Sequence, residues 1–153
     1  MSFSKLSRKQ KIIFLAGVCE GEGSFGYWCE GKNRRRIRLR ITMTDGDIIM
    51  RFKDFFNCGS VMKVTIQKKH HKQCLSWGVG GLDALRVLEQ MVPFFGKRRT
   101  DNYYAMVEAL KTRIENGEHV VIKKLSKETN NLTKKITARR QVIQASYDGL
   151  RQL

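Results

Sequence analysis

Two glutamates, Glu20 and Glu22, stand in the stretch FLAGVCEGEGSF, where an apolar, helix-like segment gives way to a β-like one. The chain holds 30 Lys and Arg against 14 Asp and Glu, a net charge of +16, so acids at a helix end need a reason. A helix C-terminus carries partial negative charge, which disfavours a carboxylate there by about 0.3–1 kcal/mol. Nearby cations could pair with both glutamates, or a divalent metal could be held there, because carboxylate and carbonyl oxygens suit hard ions such as Mg²⁺. Side chains two apart on a helix diverge by about 200°. One ion would therefore take one of the two glutamates.

A second chemical signal follows. From Arg36 to Thr44 the residues alternate, with Arg36, Arg38, Arg40 and Thr42 on one side and Ile37, Leu39, Ile41 and Met43 on the other. Three arginines in register set five-donor forks about 6–7 Å apart. Such a row suits a phosphate backbone or the guanine edges of a major groove. Further along, Lys63, Thr65, Gln67 and Lys69 alternate against Met62, Val64 and Ile66, giving a second polar face.

Other motifs carry less. GEGSFG fits the dinucleotide fingerprint as a string, but that motif follows a strand and opens a helix, whereas here a helix precedes and a strand follows. No nucleotide cofactor is expected. Cys19, Cys29, Cys58 and Cys74 contain no C-x-x-C pair, and with His70 and His71 they match no zinc module, so they read as reduced thiols. The two histidines, flanked by Lys68, Lys69 and Lys72, read as a basic turn.

These residues need elements to hold them. Apolar spacing predicts a helix over 8–20, with Ile12, Ile13, Ala16 and Gly17 on one side and Gly17 and Gly21 leaving a bare contact face. Two strands follow, then a helix over 44–56 capped by Thr44 or Asp45, with Ile48, Ile49, Phe52, Phe55 and Phe56 inward. A second hairpin turns at 68–72, with Leu75, Trp77 and Val79 inward. The next helix stops at Pro93, and helical pattern resumes from Arg99. The order is αββαββα with a helical tail, an α+β domain with a four-stranded antiparallel sheet. With 153 residues, 41% hydrophobic, one Pro and 13 dispersed Gly, a single domain over 1–153 is expected, its core about 8–116 and its tail about 117–153. The basic balance points to nucleic acid. No apolar run nears the roughly 20 residues of a membrane span, and no cleaved signal is read at the start, so an intracellular protein is expected.

LAGVCEGEG, Leu15 to Gly23, resembles the signature of the LAGLIDADG homing endonucleases, and the later PFFGKR segment and the order of elements extend the likeness over roughly 8–116. Because the signature occurs once in a short chain, the single-motif, homodimeric branch is the one resembled. The resemblance implies an intron-encoded, Mg²⁺-dependent nuclease, with Mn²⁺ or Ca²⁺ also able to occupy its site, making double-strand breaks in DNA. It implies a dimer seam of Ala16, Gly17, Glu20 and Gly21, and a metal held by Glu22 with the Gly21 carbonyl. Glu20 would be more structural than catalytic. Both acids depart from the signature's Asp. Asp45 falls at the family's polar position after the second strand, and Arg98, flanked by Lys97 and Arg99, at its basic position, where lysine is usual. On this reading Trp28, Glu30, Arg36, Arg38, Arg40, Thr42, Lys63, Thr65, Gln67 and Lys69 face the grooves. A nine-residue strand spans about 30 Å, about nine base pairs, so two copies would cover a long, near-palindromic site. Family members occur in organelles, bacteria and archaea, and the sequence does not choose. The competing class is a non-catalytic nucleic-acid binder such as an intron RNA maturase, although sheet readers of RNA typically expose aromatics and here Trp28 is the clear one.

Overall fold

The computed structural model describes residues 2–30, 34–65 and 72–116 and helical positions 131, 134, 135, 138 and 141, with backbone alone at 29, 30, 34, 35 and 114. Ser7 opens the first helix with a capping box: its hydroxyl accepts from the Gln10 amide at 3.3 Å, and the Gln10 side chain accepts from the Ser7 amide at 2.9 Å. Both groups satisfy amides that the first turn leaves unpaired. The elements are α1 (Arg8–Glu22), β1 (Gly23–Glu30), β2 (Arg34–Met43), α2 (Gly46–Phe56), β3 (Ser60–Lys63), β4 (Leu75–Gly80), α3 (Gly81–Met91) and α4 (Lys97–Glu115), with a 3₁₀ turn at Val92–Phe94 where Pro93 stops α3. The α+β order αββαββα is thus the observed one.

The four strands form one antiparallel sheet in the order β1-β2-β4-β3. One face is apolar because β2 and β4 alternate: Ile37, Leu39, Ile41, Trp77 and Val79 are all buried. Leu15 and Cys19 of α1, Ile49 and Phe52 of α2, and Leu85 and Leu88 of α3 are buried with them. Trp77 anchors this core, stacking on Phe52 at 5.3 Å and donating its indole N–H to the Cys58 carbonyl at 3.0 Å. Gly59, at φ 73°, is needed beside it, since a Cβ there would lie 2.8 Å from that indole nitrogen.

The chain divides into two compact units, residues 1–99 and 100–153. In the second, Thr100, Tyr103, Tyr104, Met106, Val107 and Leu110 are buried, the 3–4 spacing of a one-sided helix, and α4 ends at Glu115, next to the expected core boundary at about 116.

Two expectations of facing are altered. The buried stripe of α1 is Leu15, Ala16 and Cys19, while Ile13, 44% exposed, and Gly17 and Gly21 stay open as a contact face requires. Ala16 alone leaves the expected seam and turns into the chain's own core. In β3 the register pairs Val61 with Trp77 and Met62 with Ser76, which puts Met62 on the arginine side and Lys63, opposite Leu75, on the other. Alternation alone leaves a strand two phases differing by one residue; here half-burying Val61 opposite Trp77 selects the one that exposes Met62.

Candidate active site and nucleic-acid face

α1 runs into β1 without a loop. The Gly23 amide closes the last turn on the Cys19 carbonyl, and Gly23 already pairs with Ile41 of β2. Its backbone is extended, so glycine serves space here: a Cβ would lie 2.5 Å from the Cys19 carbonyl oxygen and 2.6 Å from its sulfur. Glu20, Gly21 and Glu22 are thereby held at the rim of the sheet by a turn that has no slack.

The two glutamates have different surroundings. Glu20 is half-buried, and its carboxylate accepts from the Gly96 amide at 3.2 Å. Its backbone carbonyl accepts from Arg99 Nη2 at 3.0 Å. Glu22 is exposed, and among the described residues no hydrogen bond or ion pair reaches its carboxylate. Cation pairing of both glutamates, one of the two offsets open to this junction, is therefore not what is seen at Glu22. Cys19, on the inner side of the same turn, has its thiol pushed from 9.0 up to about 12 by burial, against a lowering by Arg99 and with a smaller rise from Glu20. It stays a protonated thiol and offers no nucleophile.

Segment 95–99 meets this turn from the other side. Phe25 of β1 stacks on Phe95 at 5.9 Å with rings nearly parallel, and the Arg99 guanidinium lies 5.6 Å above the Phe25 ring. Lys97 and Arg98 are exposed beside it. Arg99, which composition and spacing could not single out from its neighbours, is the cation that binds the end of α1. A bidentate-capable residue next to a family-like basic position was the available signal. Asp45 sits at the N-cap of α2, where its carbonyl accepts from Ile48 and Ile49 but its exposed side chain caps nothing. It lies four residues past Ile41, the partner of Gly23, and so at the same end of the sheet as the glutamates.

Along α1, Gly17 and Gly21 are exposed, and a Cβ at either would meet nothing within 4 Å. With Ile13 they make a low, partly apolar strip. Ala16, fully buried in the chain's own core, does not belong to it.

The outer face of the sheet is set by register. Trp28 stands beside Arg36; Gly26, Arg38 and Gly80 form one row; Ser24, Arg40, Gly78 and Ser60 the next; Thr42, Ser76 and Met62 another. Glycines flank Arg38, and its Nε and Nη2 lie 3.9 Å from where a Gly78 Cβ would stand. Arg40 Nη2 approaches the Met62 sulfur at 3.7 Å, and Thr42 donates to Ser76 at 2.9 Å. Trp28 and Met62 are 42% and 41% exposed on this face. Met62 is a member that sequence patterning assigned to the core, and Lys63 is exposed on the opposite side. Thr65 is exposed beyond the end of β3. Gln67, Lys69, His70 and His71 lie outside the described residues, as does the Glu30 side chain.

No protein-family model matches the sequence, and no curated protein matches it. Solved structures do match its fold. The homing endonuclease I-CvuI, in complex with its target in the presence of 2 mM Ca, superposes with a TM-score of 0.56 at 16% identity, over 86% of this chain and 82% of that one. The archaeal intron-encoded homing endonuclease I-Vdi141I, complexed with DNA, gives 0.55 at 17% identity over 86% and 85%. The LAGLIDADG meganuclease I-AabMI, bound to uncleaved DNA, gives 0.53 at 24% identity, over 72% of this chain but 39% of that one.

Proposed function

We propose that this chain, built on the fold of the LAGLIDADG homing endonucleases, is a site-specific DNA endonuclease that works as a homodimer and depends on a divalent metal. The observation that carries the proposal is the Glu22 carboxylate, exposed and without a protein partner among the described residues, at a helix end where the carboxylate and carbonyl of neighbouring Glu20 are both bonded.

The donor set fits a hard cation. Glu22 supplies a carboxylate, and no turn, loop or cap hydrogen bond among the described residues ends on the Gly21 carbonyl. No cluster of three His, Cys, Asp or Glu gathers among the described residues, so a shell of about six oxygens would be completed by a second copy of the chain, water and phosphate. Bound there, the ion would lower the pKa of a water and offset charge on the scissile phosphate.

The chain's own residues do the rest. Arg36, Arg38 and Arg40 present donors to phosphates and guanine edges from a single face. Exposed Arg98 and Lys97 are placed in sequence to meet charge developing on the phosphate. Asp45, at the same sheet end as Glu22, offers a free carboxylate to a water. The strip of Ile13, Gly17 and Gly21 lets a second α1 approach closely, which would bring two Glu22 side chains together, one for each DNA strand. The match to I-AabMI, over 72% of this chain but only 39% of that one, supports a reading in which two copies of this fold make one working unit.

Cleavage of a randomised DNA library by wild type and Glu22→Gln, each with Mg²⁺ and with chelator, tests this. Wild type with Mg²⁺ yields defined double-strand breaks, while the variant binds the same fragments and cuts them at least about 100-fold more slowly, a barrier increase of about 2.7 kcal/mol. Binding by both without cutting by either would replace the nuclease reading with a non-catalytic nucleic-acid binder.

A further inference from the structure

The end of α1 concentrates negative charge: two carboxylates within three residues and the C-terminal pole of a 15-residue helix. The Arg99 guanidinium is set against that end in a defined pose. Nη2 donates to the Glu20 carbonyl at 3.0 Å, the Phe25 ring lies beneath the plane at 5.6 Å, and Nε is buried with no hydrogen-bond partner. A surface arginine serving solubility would keep its donors in water. Arg99 gives up part of its hydration to remain there, which is consistent with a guanidinium held by what it stacks on and what it bonds.

Glu20 is grasped at a second point, by the Gly96 amide at 3.2 Å. Phe95 stacks on Phe25 at 5.9 Å. Residues 95, 96 and 99 therefore clasp residues 20 and 25, on either side of Glu22. The side chain of Glu22 is itself untouched, yet the backbone before and after it is fixed.

We infer that Arg99 is a positioning residue for Glu22, holding the last turn of α1 so that the Glu22 carboxylate and Gly21 carbonyl are presented to a divalent cation, a geometric gain that outweighs the repulsion of its own charge. The inference rests on the nuclease reading and adds to it a residue distinct from Arg98. Its action runs through the Glu20 carbonyl, so it requires no contact with DNA or metal. Supporting groups of this kind change metal affinity by about 10–100-fold when removed.

The test compares wild type, Arg99→Gln, Arg99→Lys and the surface control Arg86→Gln as full-length proteins on a cleavable target duplex. Three quantities are read: the Mg²⁺ concentration giving half-maximal single-turnover cleavage, Mn²⁺ binding to the protein–DNA complex from the free-ion paramagnetic resonance signal, and duplex affinity in chelator. Arg99→Gln is expected to raise both metal midpoints about 10-fold or more while duplex affinity changes less than about threefold. Arg99→Lys, which keeps the charge and one donor, recovers most of that shift, and Arg86→Gln matches wild type. Unchanged metal midpoints in an Arg99→Gln protein that cleaves would overturn the inference, as would equal losses in metal midpoint, duplex affinity and melting temperature, the pattern of a packing residue. A wild type that cuts no duplex removes the nuclease reading, and the inference falls with it.

Discussion

The α1–β1 junction and the outer face of the sheet are built from the same strands yet obey different constraints. At the junction the inner side is tightly packed: Gly23 has no room for a Cβ, Cys19 is fully buried, and both polar ends of Glu20 are bonded. On the sheet face Arg38 and Arg40 lie half-exposed beside glycines, with Arg36, Trp28 and Met62 exposed. A metal-binding carboxylate must stand within fractions of an ångström of its place, whereas a groove-reading side chain can adapt to what it meets. The rigid region would set whether cleavage occurs, and the open one where.

The comparison breaks most readily at Gly23. Gly23→Ala is expected to cost about 3 kcal/mol by urea unfolding, because the new methyl overlaps backbone as well as sulfur; a cost under about 1 kcal/mol would mean that the junction is not tight. Gly17 provides the opposite sign on the same helix. Gly17→Leu should leave the protomer as stable or stabilise it by about 0.5–1 kcal/mol through helix propensity, while weakening self-association about 100-fold by sedimentation, equivalent to about 2.7 kcal/mol. A variant that remains equally dimeric would move the seam elsewhere.

On the open face, Arg38→Ala should weaken binding to the cognate duplex by about 1–3 kcal/mol and relax preference at one position. An equal loss on random duplex would reduce Arg38 to a phosphate contact. Met62→Ala and Lys63→Ala sharpen the register: the first should alter base preference at one position by about threefold, the second should leave preference unchanged and lower affinity at most slightly, as for a single charge away from the groove. The reverse pattern would mean that β3 binds in the other phase.

The smallest effect at neutral pH belongs to Cys19. An unfolded thiol ionises near 9.0 and the buried one near 12, so its contribution to stability is complete below pH 9 and is lost as pH rises through 9 towards 12. Replacing it by alanine should flatten the alkaline part of the stability profile, measured by urea midpoints from pH 7 to 11.

Much of this was legible in the linear chain. The α+β order, the arginine strand, the stop at Pro93 and the glutamates at a helix end all follow from periodicity and from the dihedral and dipole preferences of single residues. Phase was harder. Ala16 left the expected seam for the core, and β3 inverted around Val61, because a short run of mixed residues supports two faces and its neighbours choose between them. Arg98 and Arg99 differ by one position in a basic run, and only packing shows that Arg99 is drawn under the end of α1 while Arg98 stays exposed.

By itself the sequence determined what lies within reach of local rules: which segments form helices and strands, which strand alternates arginine with aliphatic residues, and which acids end a helix. The tertiary structure alone decided which glutamate is engaged and which is free, which arginine holds the turn, and which face of β3 joins the arginines. Those choices depend on contacts between residues 16 to 79 positions apart, such as Glu20 with Arg99, Arg40 with Met62 and Val61 opposite Trp77. Their free energies come from burial and pairing that exist only once the chain has closed on itself.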